Sequence, residues 1–470
     1  MQGRLHPSCP AQGTTFPCVV KGVRYFVSDV FFWLRSHKLR GALTILGLLL
    51  VIGGAVFAGT KLGGDDTEVI ESAPAPEVVV DVNKTPEEPA DLGFPAFATR
   101  NTTRVAGADS VANAAGVALA TTPTGGVVKG PEAVTLVDSE DWAGAIAASS
   151  LFAEPIAAPI LYTQDGSLDE LTQGAIDSLA PTGGSATGGA QAFTVGDAGE
   201  AEGLDTEAIE GGSSAEIAVS VLELREELAD GPPEHILIAS SDDPEFAMPA
   251  AAWAARSGDV VLFAQANSVP SPTIKAIERL KEVPVFVLGP ESVISEDAFK
   301  EISAATNADV TRAADEEDPV TNAVAFARFA DGNFGWNIND PGHGFVIANL
   351  ANPSDAGAAA ALSGTGTWGP LLLTDDPETP PPALEGYLLD LKPGYEDDPT
   401  RALYNHIWII GDETALSVDA QVELDEIAEV ARVESGTGDE LLGPGSAEPE
   451  VPEDPKDDKK KPKDQEDDAQ

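Results

Sequence analysis

Three clusters of acidic and amide side chains are the residues of this sequence best suited to bind a ligand. Each cluster follows an apolar segment that is predicted to be a strand and precedes an Ala-rich segment that is predicted to be a helix. The clusters are Asp138, Glu140 and Asp141; Asp242, Asp243 and Glu245; and Asn352 and Asp355. Their oxygens can coordinate Ca²⁺ or accept hydrogen bonds from sugar hydroxyls. They can equally cap the first turn of the following helix, so both interpretations stay open.

Five aspartates of these clusters are our candidate ligand-binding residues. They are Asp138, Asp141, Asp242, Asp243 and Asp355. Because parallel strands bind ligands beyond their carboxyl ends, these aspartates occupy the expected edge of a sheet. Apart from Ca²⁺ at this edge, we predict no metal and no cofactor.

No sequence motif indicates catalysis. The sequence Gly364–Gly369 matches the GxGxxG pattern, but it follows a predicted helix and leads into a strand, which is the reverse of a dinucleotide site. No GxSxG nucleophile motif lies between a strand and a helix. His235 and His406 stand at the starts of predicted strands, the wrong end for an α/β active site. We therefore predict a protein without catalytic residues.

The elements that position the candidate residues occur three times. The second strand of each set is a short apolar run: Pro159–Thr163, Asp259–Phe263 and Pro370–Thr374. An Ala-rich helix precedes each run: Trp142–Phe152, Glu245–Arg256 and Asp355–Leu362. A first strand precedes each helix: Val134–Val137, His235–Ala239 and Gly344–Ala348. A third strand, ending before a glycine, completes each set: Ala192–Val195, Val285–Leu288 and Ile407–Ile410.

This alternation predicts the α/β class. Continuous apolar strands separated by helices are typical of parallel sheets that are buried on both faces. Right-handed crossovers then give each set a layered, Rossmann-like topology. The sequence thus predicts three tandem Rossmann-like modules.

The triplicated set resembles the cell wall binding repeat 2 family. The opening Arg104–Asp109, the Pro-Ile-Leu-Tyr-Thr run at 159–163 and the Ile410-Gly411 turn are similar to motifs of that family. The resemblance covers about residues 98–435 and implies three α/β modules in a pseudo-threefold arrangement. It further implies non-covalent binding to a cell-wall polymer of Gram-positive bacteria. Departures include Asp259, which stands where the family pattern has proline.

We predict the following division of the chain. Residues 1–40 form a cytoplasmic segment, 41–60 a transmembrane helix, and 61–97 a stalk rich in proline and acidic residues. The three repeats follow at 98–205, 206–307 and 308–435, here called units 1, 2 and 3. Residues 436–470 form a disordered, charged tail.

The membrane helix and its orientation follow from charge. Residues 41–60 are uncharged over a length that spans a bilayer. Basic residues dominate before this segment and acidic residues after it, which places the N-terminus in the cytoplasm and the C-terminal body outside, facing the wall. The predicted localisation is therefore the cell membrane, with a single pass.

The overall charge excludes one class of partner and complicates another. The chain has 78 acidic and 27 basic residues and a formal net charge of −51. Binding of nucleic acid is excluded because it depends on Lys and Arg. An anionic wall polymer would also be repelled, so its binding needs divalent bridges, a local basic patch or a neutral glycan.

We predict a non-enzymatic, membrane-anchored protein whose three repeats bind a cell-wall polysaccharide or secondary wall polymer. The first alternative is an extracytoplasmic receptor for a solute or signal. The second alternative is a peptidoglycan hydrolase.

Overall fold

The computed structural model describes residues 96–122, 130–366 and 368–433. The predicted cytoplasmic segment, membrane helix and charged tail lie outside these ranges, as does the predicted stalk except for its last two residues. Within these ranges, no helix is both long enough and apolar enough to cross a bilayer.

The strands of the described ranges are short and mostly buried. They are β1 (Ala96–Ala98), β2 (Thr102–Val105), β3 (Val134–Asp138), β4 (Ile160–Thr163), β5 (Ala192–Val195), β6 (Thr206–Ile209), β7 (Ile236–Ser240), β8 (Val260–Ala264), β9 (Val285–Leu288), β10 (Val310–Ala314), β11 (Gly344–Asn349), β12 (Leu371–Thr374), β13 (Gly394–Tyr395), β14 (His406–Ile410) and β15 (Ala431–Arg432). The nine strands predicted from apolar runs are all present, with ends shifted by at most one residue.

The helices of the described ranges alternate with these strands. They are α1 (Ser110–Thr121), α2 (Trp142–Ala148), α3 (Glu170–Leu179), α4 (Ser214–Leu228), α5 (Pro244–Ser257), α6 (Ser271–Arg279), α7 (Glu296–Ala305), α8 (Pro319–Arg328), α9 (Asp355–Gly364), α10 (Pro382–Asp390) and α11 (Val418–Ala428). The first Ala-rich segment is α-helical only to Ala148 and continues as a 3₁₀ turn over Ser149–Phe152.

Three parallel sheets share one strand order. Their orders are β4-β3-β5-β6, β8-β7-β9-β10 and β12-β11-β14-β2. In the third sheet β1 adds to β2 in the antiparallel sense. This confirms the predicted α/β class with parallel sheets.

The fourth strand of each sheet was not predicted from the sequence. β6 opens unit 2 but pairs with β5 of unit 1, and β10 opens unit 3 but pairs with β9 of unit 2. β2 opens unit 1 and pairs with β14 of unit 3. These strands lie toward sheet edges and carry polar residues, as in Thr-Glu-Ala-Ile of β6, so they lack the continuous apolar pattern of a central strand.

The Ala-rich helices meet in the centre of the described body. Helices α2, α5 and α9 each contact the other two. Small side chains permit this close approach: a Cβ on Gly357 of α9 would lie 2.6 Å from the Cβ of Ala145 of α2. The buried residues of these helices and of the strands beside them form one continuous apolar core.

The strand registers correct the sequence comparison of the units by one residue. Asp138 pairs with Thr163, Ser240 with Ala264, and Asn349 with Thr374. Counting back from these pairs, Val260 is equivalent to Pro159 and Pro370. The interpretation that Asp259 replaces the proline was therefore wrong, because the apolar run of unit 2 extends one residue further than Phe263. Asp259 stands one position before the run.

Candidate functional site

The candidate aspartates of unit 1 accept hydrogen bonds from nearby backbone amides. Asp141 caps α2, and its Oδ1 accepts from the Gly144 N–H at 2.8 Å. Asp138 accepts from the Glu140 N–H at 3.1 Å. Burial raises the pKa of Asp141, and the nearby charges of Asp138 and Asp197 raise it further, against the opposing hydrogen bond from Gly144.

The candidate aspartates of unit 2 lie in the turn between β7 and α5. The Ser240 hydroxyl donates to Oδ2 of Asp243 at 3.2 Å. Oδ2 of Asp242 accepts from the Ala266 N–H at 2.9 Å, which ties this turn to the end of β8. Asp243 occupies the cap position of α5 without a capping bond from its side chain.

Asp355 is buried rather than displayed at the sheet edge. It is 1% exposed, and its Oδ1 accepts from the Asn113 side-chain amide at 3.0 Å. Burial raises the pKa of Asp355, although hydrogen bonds from Asn113 and Ser110 oppose the shift. This aspartate joins α9 to α1 and offers no accessible ligand surface.

The structure brings only two of the five candidate aspartates into one cleft. Asp138 and Asp141, together with Asp197, line a space of about 490 Å³ at the carboxyl end of the first sheet. We call this the acidic cleft. No group of three His, Cys, Asp or Glu residues in the described ranges is arranged to hold a metal ion.

A different cleft lies at the amino ends of β7 and β8, where units 2 and 3 meet. It has a volume of about 330 Å³. We call it the tryptophan cleft and define it by three indole rings and five polar side chains: Trp253, Trp336, Trp368, Glu234, His235, Arg256, Asp259 and Asn333. The sequence contains six tryptophans, so half of them converge here.

A buried carboxylate organises the floor of this cleft. Asp259 is 2% exposed. Its Oδ2 accepts from the Trp253 Nε1–H at 2.8 Å and lies 3.0 Å from Nδ1 of His235. Its Oδ1 accepts from the His235 backbone N–H at 2.9 Å. Three hydrogen bonds thus compensate for removing this charge from water.

His235 connects unit 2 to unit 3. Its Nε2 lies 3.1 Å from Oδ1 of Asn333, whose Nδ2 donates to Glu234 at 2.6 Å. Burial lowers the pKa of His235, but Asp259, Asn333 and Glu234 outweigh it, so the pKa stands above its usual value. The protonated ring satisfies both acceptors, because each nitrogen then donates a hydrogen bond.

Aromatic packing holds the loop that carries Asn333. Phe334 is 1% exposed and stacks on Phe286 with ring centroids 3.7 Å apart. It also meets Trp253 edge-on at 4.9 Å. Gly335 follows with φ of 99°, and a Cβ there would lie 2.4 Å from the Phe329 carbonyl oxygen. The loop therefore requires glycine at this position.

Trp368 lies on the open side of the cleft, and Trp336 is buried beside it. The rings of Trp336 and Trp368 are nearly parallel, with centroids 6.3 Å apart. Trp368 is 37% exposed, and the Arg256 guanidinium lies 4.3 Å from its ring centroid. Trp336 is 5% exposed, and its Nε1–H has no hydrogen-bond partner among the described residues.

The carboxylate–imidazole pair cannot form in the other two units. By strand register, His235 and Asp259 correspond to Ala133 and Ala158 in unit 1 and to Gly344 and Gly369 in unit 3. In unit 3 a Cβ on Gly369 would lie 1.7 Å from the Gly344 carbonyl oxygen. Within the described residues, unit 2 is therefore the place where this floor is built.

The histidines lie where the sequence predicted. His235 directly precedes β7, and His406 is the first residue of β14, with its Nε2 3.1 Å from the Thr103 hydroxyl oxygen. Nε2 of His235 faces an amide and not a hydroxyl nucleophile. The pair with Asp259 therefore connects the floor of the cleft to the loop of Asn333.

Sequence reasoning missed the tryptophan cleft. Its residues come from four separate segments, and their positions show no common spacing. Two local signals were present: His235, which stood at the starting end of a predicted strand, where no active site is expected, and Asp259, which we assigned to the proline position. The three tryptophans stood out only by their rarity.

Comparisons with known proteins identify fold relatives. No protein-family model matches the sequence, and no curated protein matches it. Among solved structures, Cwp8 from Clostridium difficile is similar at 16% identity with a TM-score of 0.55, covering 70% of this chain and 52% of that chain. Cwp6 from Clostridium difficile is similar at 17% identity with a TM-score of 0.51, covering 71% and 50%. This chain thus spans about half the length of both, and the likeness shows the fold alone.

Proposed function

We propose that this protein is a membrane-anchored, extracytoplasmic protein that binds a cell-wall polysaccharide without catalysing a reaction. The observation that carries the proposal is the tryptophan cleft. Aromatic rings pack against the apolar C–H faces of sugars, while a few fixed polar groups bind the hydroxyls. The tryptophan cleft combines aromatic rings and fixed polar groups around one concave space of about 330 Å³.

The fold likeness supports a cell-wall-associated role. The solved relatives Cwp8 and Cwp6 are cell wall proteins, which fits the family resemblance of the repeats. We include in the proposal that the three units are repeats around a pseudo-threefold axis. The shared strand order and the meeting of α2, α5 and α9 favour this arrangement.

The proposed anchor is the uncharged segment at residues 41–60. Basic residues before it and acidic residues after it support a cytoplasmic N-terminus and a body that faces the wall. In this arrangement the protein connects the membrane to the wall polymer.

A receptor for a small solute is the second candidate. The volume of the tryptophan cleft favours it, because about 330 Å³ is near the lower end of pockets for small ligands. A cleft of this size holds one or two sugar rings, so the two functions differ in whether the bound sugar belongs to a polymer.

The test is co-sedimentation of the purified full chain with cell-wall sacculi, before and after secondary polymers are stripped from the walls. We expect retention on intact walls and a loss of about tenfold in affinity for Trp368→Ala. Phe97→Ala is the matched control, because Phe97 is an aromatic residue outside the cleft and is 50% exposed.

Each outcome separates the candidates. Retention that falls on stripping and with Trp368→Ala, but not with Phe97→Ala, supports polymer binding at the cleft. Absence of retention in every condition contradicts it. If a free sugar then raises the melting temperature, the receptor is favoured instead.

A further inference from the structure

We propose that the tryptophan cleft binds one neutral pyranose ring, and that each chain carries one such site in its described part although it has three units. This inference rests on the proposed function and specifies its ligand. The ligand is an uncharged sugar, and the binding is monovalent.

The stacking surface comes from Trp368. Its side chain is 37% exposed, whereas Trp336 is 5% exposed and stacks with Trp368, so Trp336 supports the exposed ring and does not extend the surface. Arg256 packs on Trp368 at 4.3 Å and restricts its rotation. Among the described residues Arg256 has no carboxylate partner, so this cation–π contact is its main interaction.

The unsatisfied donor of the cleft is the Trp336 indole. A buried N–H without an acceptor destabilises the protein, and such groups are rare in folded proteins. The Nε1–H of Trp336 is in this state although the ring lines the cleft. If the Trp336 ring shifts toward the cleft on binding, a hydroxyl or ring oxygen of the sugar supplies the missing acceptor.

The acceptor of the cleft is the exposed carboxylate of Glu234. One of its oxygens accepts from the Asn333 amide, which fixes the carboxylate beside the cleft. The second oxygen is left to accept a hydrogen bond from a ligand hydroxyl. Because a hydroxyl both donates and accepts, a polyol matches the pairing of an N–H donor with a carboxylate acceptor.

The charges of the cleft favour an uncharged ring. Asp259 is paired with His235 in the floor, and protonation of His235 neutralises the charge of this pair. The remaining charges of the lining are the negative Glu234 and the positive Arg256, which balance each other. The lining therefore carries no net positive charge. A uronate or phosphate on the ring would approach Glu234 and a chain of net charge −51. An acidic chain would repel an anionic polymer, but it would not repel a neutral glycan.

The single site follows from the strand register. Units 1 and 3 have alanine or glycine at the positions of His235 and Asp259. These two units therefore lack the side chains that, in unit 2, bind the Trp253 indole and the loop of Asn333. Three repeats therefore do not give three equivalent binding sites.

The experiment is isothermal titration calorimetry of the purified full chain with neutral trisaccharides of glucose, galactose, mannose and N-acetylglucosamine, and with galacturonic acid trisaccharide. We expect one molecule of a neutral trisaccharide per chain. Its affinity should change less than about twofold between about 0.05 and 0.5 M salt, since no charge is paired. The acidic trisaccharide should bind at least about tenfold more weakly.

Two variants probe the assigned contacts. Trp336→Phe keeps an aromatic ring and removes the N–H, so affinity for the neutral sugar should fall about fivefold to tenfold. Glu234→Gln keeps an acceptor and removes the charge, so the acidic trisaccharide should gain affinity relative to the neutral one. Phe97→Ala should change neither.

The outcomes also separate this inference from the proposed function. Three bound sugars per chain, a preference for the acidic trisaccharide or no binding of any neutral sugar would each overturn the inference. If walls still retain the chain and Trp368→Ala has no effect on that retention, polymer binding stands and lies elsewhere. If the unmodified chain is not retained on walls at all, the proposed function itself is contradicted.

Discussion

The acidic cleft and the tryptophan cleft are built from the same kind of strand–helix unit, but they use their polar groups differently. In the acidic cleft, Asp138 and Asp141 accept hydrogen bonds from amides of their own turn. In the tryptophan cleft, Asp259 binds groups that other segments present. Trp336 there retains a buried donor without a partner.

The difference shows why an acidic residue after a strand is weak support for a binding site. A helix must satisfy its first amides wherever it begins, and Asp does so at low cost. The buried Nε1–H of Trp336, which has no acceptor and lies where units 2 and 3 meet, cannot be explained by helix capping. Ligand binding is therefore better inferred from the tryptophan cleft.

The largest effect expected in this comparison is that of Asp259→Ala. The change leaves His235 and the Trp253 N–H without their acceptor in a buried site, so the free energy of unfolding should fall by about 3–5 kcal/mol. Urea denaturation measures this. The control is Asp138→Ala in the acidic cleft, which should cost no more than about 1 kcal/mol. If both variants lost the same free energy of unfolding, the pair of Asp259 and His235 would not be what stabilises the floor of the tryptophan cleft.

A smaller effect is expected for Asp141→Ala. The variant removes the cap of α2, which should lower the free energy of unfolding by about 1 kcal/mol. Retention on cell walls should stay unchanged, since the acidic cleft does not bind the ligand in our proposal. A loss of retention at unchanged stability would return the acidic cleft to consideration as the binding site.

Asp355→Asn should make the protein more stable at neutral pH. The folded-state pKa of Asp355 is raised, so its ionisation opposes folding at pH values above that pKa. The amide keeps an acceptor for Asn113 and removes the buried charge. The gain should shrink as the pH falls through the folded pKa and vanish below the unfolded pKa of about 3.9. Thermal unfolding across this pH range is the measurement, and a pH-independent gain would contradict the cause.

The smallest effect expected is the pH dependence of the tryptophan cleft. The pKa of His235 is raised in the folded state, so its stabilisation is complete below the unfolded value of about 6.5 and is lost as pH rises through the folded pKa. His235→Gln should therefore destabilise the protein more at pH 6 than at alkaline pH, as followed by urea midpoints. A loss that is the same at both pH values would mean that packing against Phe334, and not charge, is what His235 contributes.

Much of the fold could be predicted, and little of the candidate site. The central strands were found because each is a continuous apolar run, but β2, β6 and β10 were missed because their polar residues interrupt such a run. The cap of α2 by Asp141 was one of two interpretations open from the sequence. The burial of Asp355 was not predicted, because it depends on α1, which lies more than two hundred residues earlier in the chain.

The sequence by itself determined the α/β class, the triplicated order of the central strands and the acidity that makes an anionic partner unfavourable. These depend on local periodicity and composition, which neighbouring residues define. The tertiary structure alone decided that β2 completes the sheet of unit 3 and that His235 meets Asn333, which is 98 positions away. Such contacts arise where separate units pack together. No local pattern encodes them, because the free energy that selects them comes from surfaces that meet only in the folded chain.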